Sequence, residues 1–143
     1  MISVSVKRNG DAVGFLKALK MKRLKKVLES YAQEGVIALA NATPTDSGKT
    51  ADSWSYKIEE NNNGIVITWA NSNIVSSSAG DTYSVAVLLQ YGHATGTGGY
   101  VEGIDYINPA LKPIYEKIKD TVLNEYSDLG SNSWAINMKG GTK

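Results

Sequence analysis

The chain has 143 residues, of which 42% are hydrophobic and 20% charged, and this composition is typical of one globular domain. It contains no cysteine and a single histidine, His93, which excludes disulfides, thiol catalysis and metal sites built from cysteines or several histidines. Apolar runs are far shorter than the roughly 20 residues of a membrane-spanning helix. No signal peptide is recognisable, so we expect a soluble intracellular domain.

A net charge of +1 conceals a basic beginning and an acidic remainder. Residues 1–28 carry a net charge of +7 and residues 29–143 a net charge of −6. Six basic residues of this cluster fall on the first predicted helix: Lys17, Lys20, Lys22, Arg23, Lys25 and Lys26. Two interpretations stay open: a solvated helix face, or a surface that meets nucleic acid or an acidic protein through non-specific electrostatics.

The first elements are a short strand and a long helix. Residues 2–6 alternate apolar and polar side chains, which is typical of a strand or an ordered arm. From about residue 13 to residue 41 the apolar spacing is helical. Its stripe consists of Met21, Leu24, Leu28, Tyr31, Gly35, Ala38 and Leu39. Glycine costs a helix interior about 1 kcal/mol relative to alanine, so close packing or a bend is expected at Gly35.

Pro44 ends the predicted helix, and a β-hairpin with a turn at residues 61–64 follows. Apolar residues alternate along both of its arms: Trp54, Tyr56, Ile58, Ile65, Ile67 and Trp69. The polar residues 71–81 predict an exposed, mobile loop. Residues 82–91 are apolar enough to be buried, as either a strand or a short helix.

Residues 93–103 contain four glycines and predict a long, flexible loop. Asn108 and Pro109 predict the N-cap and first position of a second amphipathic helix that ends at Tyr126. Residues 127–143 predict a flexible C-terminal tail. The order of elements predicts a single α+β domain, residues 1–126, in which a long N-terminal helix and a C-terminal helix pack on a small antiparallel β-sheet.

The sequence offers no convincing catalytic motif. Gly48-Lys49-Thr50 matches the end of a phosphate-binding loop, but that motif requires a glycine where Thr43 stands, a strand before it and a helix after it. The glycine-rich segment 92–103 could bind an anion through its backbone amides, but no basic residue follows to anchor the anion. His93 could act as a general base, but no Gly-x-Ser-x-Gly motif accompanies it. We therefore expect no enzyme activity, no cofactor and no catalytic or metal-binding residues.

Two segments carry a resemblance when they are taken in order. Residues 42–54 read Ala-Thr-Pro-Thr-Asp-Ser-Gly-Lys-Thr-Ala-Asp-Ser-Trp, and residues 88–111 contain Gln-Tyr-Gly, a glycine-rich loop and Tyr-Ile-Asn-Pro-Ala-Leu. They resemble the Ala-x-Pro-Val-Asp-Thr-Gly-x-Leu-x-x-Ser and Glu-Tyr-Gly … Pro-Phe-Leu-x-Pro-Ala patterns of tailed-bacteriophage neck (head–tail joining, tail completion) proteins. The matching residues are Pro44, Asp46, Ser47, Gly48, Ser53, Tyr91, Gly92, Pro109 and Ala110. Departures are Thr50 for leucine, Gln90 for glutamate and Asp105 for proline.

This resemblance implies a structural virion protein. Copies would form a homo-oligomeric ring, a hexamer or dodecamer, with a connector or stopper protein on the head side and a tail terminator or tail tube on the tail side. DNA would pass through the ring with non-specific contacts, and no membrane is involved. The protein would occupy the head–tail interface of the virion, and the host cytoplasm during assembly. The basic residues would line the lumen or a surface between subunits, and the motif residues would shape turns. The alternative is a small basic-helix module that binds nucleic acid.

Overall fold

The structure is a computed structural model that describes residues 2–8, 15–44, 48–61, 64–125 and 134–139. Its helices are α1 (Phe15–Ala42), α2 (Val85–Tyr91) and α3 (Ile107–Glu125). Its strands are β1 (Ile2–Arg8), β2 (Trp54–Asn61), β3 (Gly64–Asn71), β4 (Ile74–Ser76), β5 (Thr82–Ser84), β6 (Gly92–Ala94), β7 (Tyr100–Glu102) and β8 (Trp134–Lys139). The expected α+β class, with a long N-terminal helix, a C-terminal helix and small antiparallel sheets, is confirmed.

The main sheet has four antiparallel strands in the order β2-β3-β1-β8. The predicted hairpin is its β2–β3 pair, in which Ile58 lies opposite Ile67. The strand expected at residues 2–6 is β1, which occupies an interior position and pairs Val4 with Ile67. Because side chains alternate along a strand, the large apolar residues collect on one buried face. These residues are Ile2, Val4, Val6, Trp54, Ile65, Ile67 and Trp69.

Helix α1 covers this buried face through the stripe that its periodicity predicts. Its buried apolar residues are Met21, Leu24, Leu28, Ala32 and Leu39. The close packing expected at Gly35 is confirmed, because a Cβ there would lie 2.6 Å from the Trp69 indole nitrogen. That nitrogen donates to the Ala32 carbonyl at 2.9 Å. Glycine therefore lets a tryptophan of the sheet lie directly against the helix backbone.

Helix α3 packs beside α1 and completes the core. Its buried residues recur at helical spacing: Leu111, Ile114, Ile118 and Val122. The Tyr31 and Thr121 hydroxyls share a hydrogen bond of 2.8 Å across the two helices. Lys117 and Glu34 form an ion pair on the same seam. The two helices thus form one layer against the sheet.

Two segments predicted as loops contain short hairpins instead. Strand β4 pairs with β5, and β6 pairs with β7, each over three residues. The segment 82–91, left open between strand and helix, is strand β5 followed directly by helix α2. Polar composition in the first segment and glycines in the second led to the prediction of loops. In the structure Gly80, at φ +91°, and Gly98, at φ +87°, serve only the reversals of the two hairpins.

Strand β8 corrects the prediction of a flexible tail after residue 127. Trp134–Lys139 pair with β1, with Ile136 opposite Val6 and Met138 opposite Val4. The physical reason is the alternation of apolar and polar residues within an otherwise Gly-, Ser- and Asn-rich segment, which suits a strand once β1 offers an edge. The predicted end of the last helix at Tyr126 and the rest of the tail lie outside the described residues.

Candidate functional site

A buried threonine joins the end of α1 to the start of β2 within the first motif segment. The Thr43 hydroxyl donates to the Leu39 carbonyl at 2.6 Å and accepts from the Trp54 indole nitrogen at 2.9 Å. Thr43 and Trp54 are 4% and 8% exposed, so these bonds are shielded from water. As predicted, α1 stops before Pro44. Because an unpaired buried polar group is costly, Thr43 fixes the path by which the chain leaves the helix.

A second polar contact ties the same segment to the end of β3. The Thr50 carbonyl accepts from the Asn71 amide at 2.7 Å, and the Thr50 hydroxyl accepts from the Asn73 amide at 2.8 Å. The Ser53 hydroxyl donates to the Lys49 carbonyl at 2.6 Å. The buried Thr50 side chain is thus satisfied by a polar partner.

The Gly48-Lys49-Thr50 triplet does not form a phosphate-binding loop. Helix α1 precedes it, and a three-residue 3₁₀ helix and β2 follow it, whereas a P-loop connects a strand to a helix. The Thr50 residue is buried and its hydroxyl accepts from the Asn73 amide, so it is not presented to a ligand. Gly48 adopts φ +77° and its carbonyl accepts from the Asp52 nitrogen at 2.9 Å. The triplet is therefore a structural turn.

Gln90 is the polar centre of the second motif segment. Its side-chain oxygen accepts from the backbone nitrogens of Tyr106 and Ile107, both at 3.0 Å. Its amide nitrogen donates to the Asp105 carboxylate at 2.6 Å. Since the first N–H groups of a helix have no partner within the helix, Gln90 caps α3 from the neighbouring α2. The N-cap predicted at Asn108 is wrong, because that residue lies inside α3 and donates to Asp105.

The two departures at Gln90 and Asp105 form one interaction. A glutamate at position 90 would still accept from the N–H groups of α3, but it would bring a second carboxylate against Asp105. The amide of Gln90 replaces that repulsion by a charge-assisted hydrogen bond. Glutamine at position 90 and aspartate at position 105 are therefore matched to each other in this fold.

Tyr106 brings the two motif segments together. Its side chain is 5% exposed, and its hydroxyl donates to the Ala86 carbonyl at 2.8 Å. Burial raises the pKa of Tyr106 from 10.0 to about 12. Tyr106 and Trp54 of the first segment belong to the same buried cluster, so the two segments meet in the core.

Tyr91 and Gly92 attach the β6–β7 hairpin to α2. Gly92 adopts φ +82°, and a Cβ there would lie 2.5 Å from a carbonyl oxygen of β7. A Cβ at Gly103 would lie 2.4 Å from the Gln90 carbonyl oxygen. The Tyr91 carbonyl also accepts from the Tyr100 hydroxyl at 3.1 Å. Direct backbone contact thus holds the hairpin against the end of α2.

The other motif residues lie where the fold turns or a helix starts. Pro109 and Ala110 occupy the first turn of α3, where the Ala110 nitrogen donates to the Tyr106 carbonyl at 3.2 Å. Pro109 is two positions beyond the helix start, not at its first residue. Asp46 and Ser47 lie outside the described residues.

The predicted basic cluster does not form one uniform surface. Three of its members are exposed on one face of α1: Lys22, Arg23 and Lys26. Lys25 is half-buried, with its ammonium 3.9 Å from the Glu60 carboxylate. Lys20 is also half-buried, and Lys17 lies in the first turn of the helix. The exposed row is therefore distinct from Lys25, which lies beside the sheet.

Candidate reactive features are sparse in the described part of the chain. The His93 Nδ1 atom is buried without a hydrogen-bond partner. No group of three or more His, Asp or Glu residues within the described ranges could hold a metal ion. An open depression of about 440 Å³ beside the start of α3 is lined by Asp105, Asn108, Pro109, Lys112 and Tyr115. The Asp105 carboxylate in this depression already accepts hydrogen bonds from Gln90 and Asn108.

Sequence reasoning missed the joining roles of Thr43, Gln90 and Tyr106. For Gln90 a signal was available, because it is a polar residue within the apolar run of α2, Val-Ala-Val-Leu-Leu-Gln-Tyr. A polar residue in such a run is buried only with partners. For Thr43 and Tyr106 no local pattern reveals their buried partners, the Trp54 indole and the Ala86 carbonyl.

No protein-family model matches the chain, and no curated protein or solved structure shows significant similarity to it. Within the ranges that the structure describes, no helix is both long enough and apolar enough to cross a membrane.

Proposed function

We propose that this chain is a structural subunit of the head–tail junction of a tailed bacteriophage, where copies assemble into a ring through which DNA passes. The observation that carries the proposal is the joining of the two motif segments. Trp54 of the first segment and Tyr106 of the second belong to the same buried cluster. Within the second segment, Gln90 of α2 caps α3. The two segments that resemble the neck-protein signature thus come together in the core, where buried polar groups restrict substitution.

The exposed surface supports an assembling subunit. Six large apolar residues that are at least 44% exposed lie on or beside the two small hairpins: Ile74, Val75, Tyr83, Tyr100, Val101 and Ile104. Concentrated apolar exposure of this kind marks interaction surfaces. A ring of six or twelve copies requires two different, complementary surfaces per subunit. Its outer partners would be a connector or stopper on one side and a tail terminator or tail tube on the other.

The test is made in the phage or prophage that encodes the chain. Deleting its gene should give DNA-filled heads and separate tails, and purified wild-type virions should contain the chain in the copy number of one ring. Wild-type chain and the Lys49→Ala variant should both restore joining, because the Lys49 side chain is exposed. Virions that lack the chain, or a deletion that leaves joining intact, would disprove the proposal.

A basic-helix module that binds nucleic acid is the second candidate, favoured by the exposed row Lys22, Arg23 and Lys26. If these cations contact three phosphates, the logarithm of the DNA affinity should fall with the logarithm of salt concentration with a slope of about −3. Micromolar binding by the isolated chain, lost in Arg23→Glu, would favour this module. Negligible binding would favour the ring subunit.

A further inference from the structure

The exposed row on α1 combines positive charge with apolar area. We call it the basic face, and it consists of Leu19, Lys22, Arg23 and Lys26. Steps of three and four residues place these side chains along one side of the helix. Leu19 is 41% exposed although it is apolar. An apolar residue at the end of a row of cations is suited to a partner that is both apolar and acidic.

A surface of the opposite kind lies on the β6–β7 hairpin. The acidic arm, residues 92–105, exposes three large apolar side chains and two carboxylates. The apolar residues are Tyr100, Val101 and Ile104, exposed by 64%, 46% and 61%. The carboxylates belong to Glu102 and Asp105. Residues 58–111 contain no lysine or arginine, so the arm carries no cation that would offset its negative charge.

The acidic arm is built as a rigid element. At its tip the Thr95 nitrogen donates to the Gly99 carbonyl at 2.8 Å, and the Gly99 nitrogen donates to the Thr95 hydroxyl at 2.9 Å. At its base there is no room for a Cβ: at Gly92 it would lie 2.5 Å from the Val101 carbonyl oxygen of the arm, and at Gly103 it would lie 2.4 Å from the Gln90 carbonyl oxygen of α2. Because little conformational entropy is left to lose, such a hairpin is preorganised for binding.

We propose that the acidic arm of one copy docks on the basic face of a second copy. The apolar residues of the arm would pack around Leu19, and Glu102 would face the row of cations. The two surfaces occur on the same chain, so every copy can supply both to its neighbours. Because the surfaces differ, the contact is head-to-tail and can repeat around a ring.

Closure of these contacts into a ring rests on the proposed function. The contact itself assigns the basic face to a neighbouring subunit instead of to DNA. The contact between two copies is testable without the ring. The chain contains no cysteine, so each introduced cysteine is its only thiol. We would mix the Val101→Cys chain with the Lys22→Cys chain and follow the mixed disulfide under mild oxidation.

The matched control replaces Lys22→Cys by Lys119→Cys, which also substitutes an exposed helical lysine, but on α3. We expect the Val101–Lys22 pair to cross-link at least about tenfold faster than the control pair. The advantage should shrink as salt rises from about 0.05 to about 0.5 M, since screening weakens exposed charge pairs. Equal rates for the two pairs would overturn the proposal.

Charge reversal provides the second test. Glu102→Lys in the Val101→Cys chain should slow cross-linking by about fivefold, and Arg23→Glu in the Lys22→Cys chain should restore it. Failure of that restoration, or DNA bound at the basic face with no mixed disulfide, would refute the docking. Incorporation into virions without cross-linking refutes the docking alone. Cross-linking by a chain absent from virions refutes the head–tail assignment alone.

Discussion

Replacing Gln90 by glutamate tests the joint between α2 and α3. The substitution keeps the size of the side chain and its ability to accept from Tyr106 and Ile107. It removes the amide that donates to Asp105 at 2.6 Å and puts a second carboxylate there. Because Gln90 is 6% exposed, the new charge has little access to water.

The expected cost follows from three contributions. Losing a hydrogen bond to a charged group costs about 1.5–3 kcal/mol. Repulsion between the carboxylates adds to this, although the exposed Asp105 side chain can turn away. A negative charge at the start of α3 returns about 0.3–1 kcal/mol. We therefore expect Gln90→Glu to lower the free energy of unfolding by about 2 kcal/mol at neutral pH.

Urea denaturation at two pH values measures this effect. Repulsion raises the pKa of one carboxyl in the folded variant, so the penalty should be present at neutral pH and shrink as pH falls to about 4, where that carboxyl binds a proton. Asp105→Asn alone should cost less than about 1 kcal/mol. In the double variant an asparagine amide can donate to the new glutamate, so most stability should return. An undiminished loss in the double variant, or a fully stable Gln90→Glu chain, would refute the compensation between the two positions.

Three further substitutions test the core. Gly35→Ala should lower the free energy of unfolding by about 1–3 kcal/mol in urea denaturation, despite alanine's better helix propensity, because its Cβ would lie 2.6 Å from Trp69; increased stability would contradict the packing. Thr43→Val should cost about 1–3 kcal/mol and shift tryptophan fluorescence, since the Trp54 indole loses its acceptor; unchanged stability and spectrum would count against this bond. The pKa of Tyr106, raised to about 12, makes its stabilisation complete below pH 10 and lost as pH rises through 12. Tyr106→Phe should be less stable than the wild type at neutral pH, because the Ala86 carbonyl loses its hydrogen-bond donor. The difference should shrink by about 2–3 kcal/mol by pH 12, measured by parallel urea titrations; a constant difference would show that Tyr106 does not cause the alkaline loss.

Local patterns in the sequence predicted the elements that depend on neighbours along the chain. The stripe from Met21 to Leu39 predicted α1 and its buried face, because three-to-four spacing alone selects one side of a helix. Alternation of apolar and polar residues predicted the β2–β3 hairpin, because a period of two places the apolar side chains on one face of a strand. Glycine in a helix interior predicted the close approach at Gly35. The absence of a glycine at position 43 predicted that Gly48-Lys49-Thr50 is not a phosphate-binding loop, and the element before it is indeed a helix and not a strand.

The tertiary structure decided every feature that depends on residues distant in sequence. Strand β8 exists as a strand beside β1, and no local propensity reveals that an edge is available to it. In the sequence Gln90 is only a departure from a pattern. The fold places Asp105 and the start of α3 beside it, and both become its hydrogen-bond partners. The sequence does not distinguish the exposed row on α1 from Lys25, because the Glu60 carboxylate lies near Lys25 only in the folded chain. Sequence periodicity determines which face of an element is buried, whereas burial, pairing and charge between elements depend on distances that only the folded chain defines.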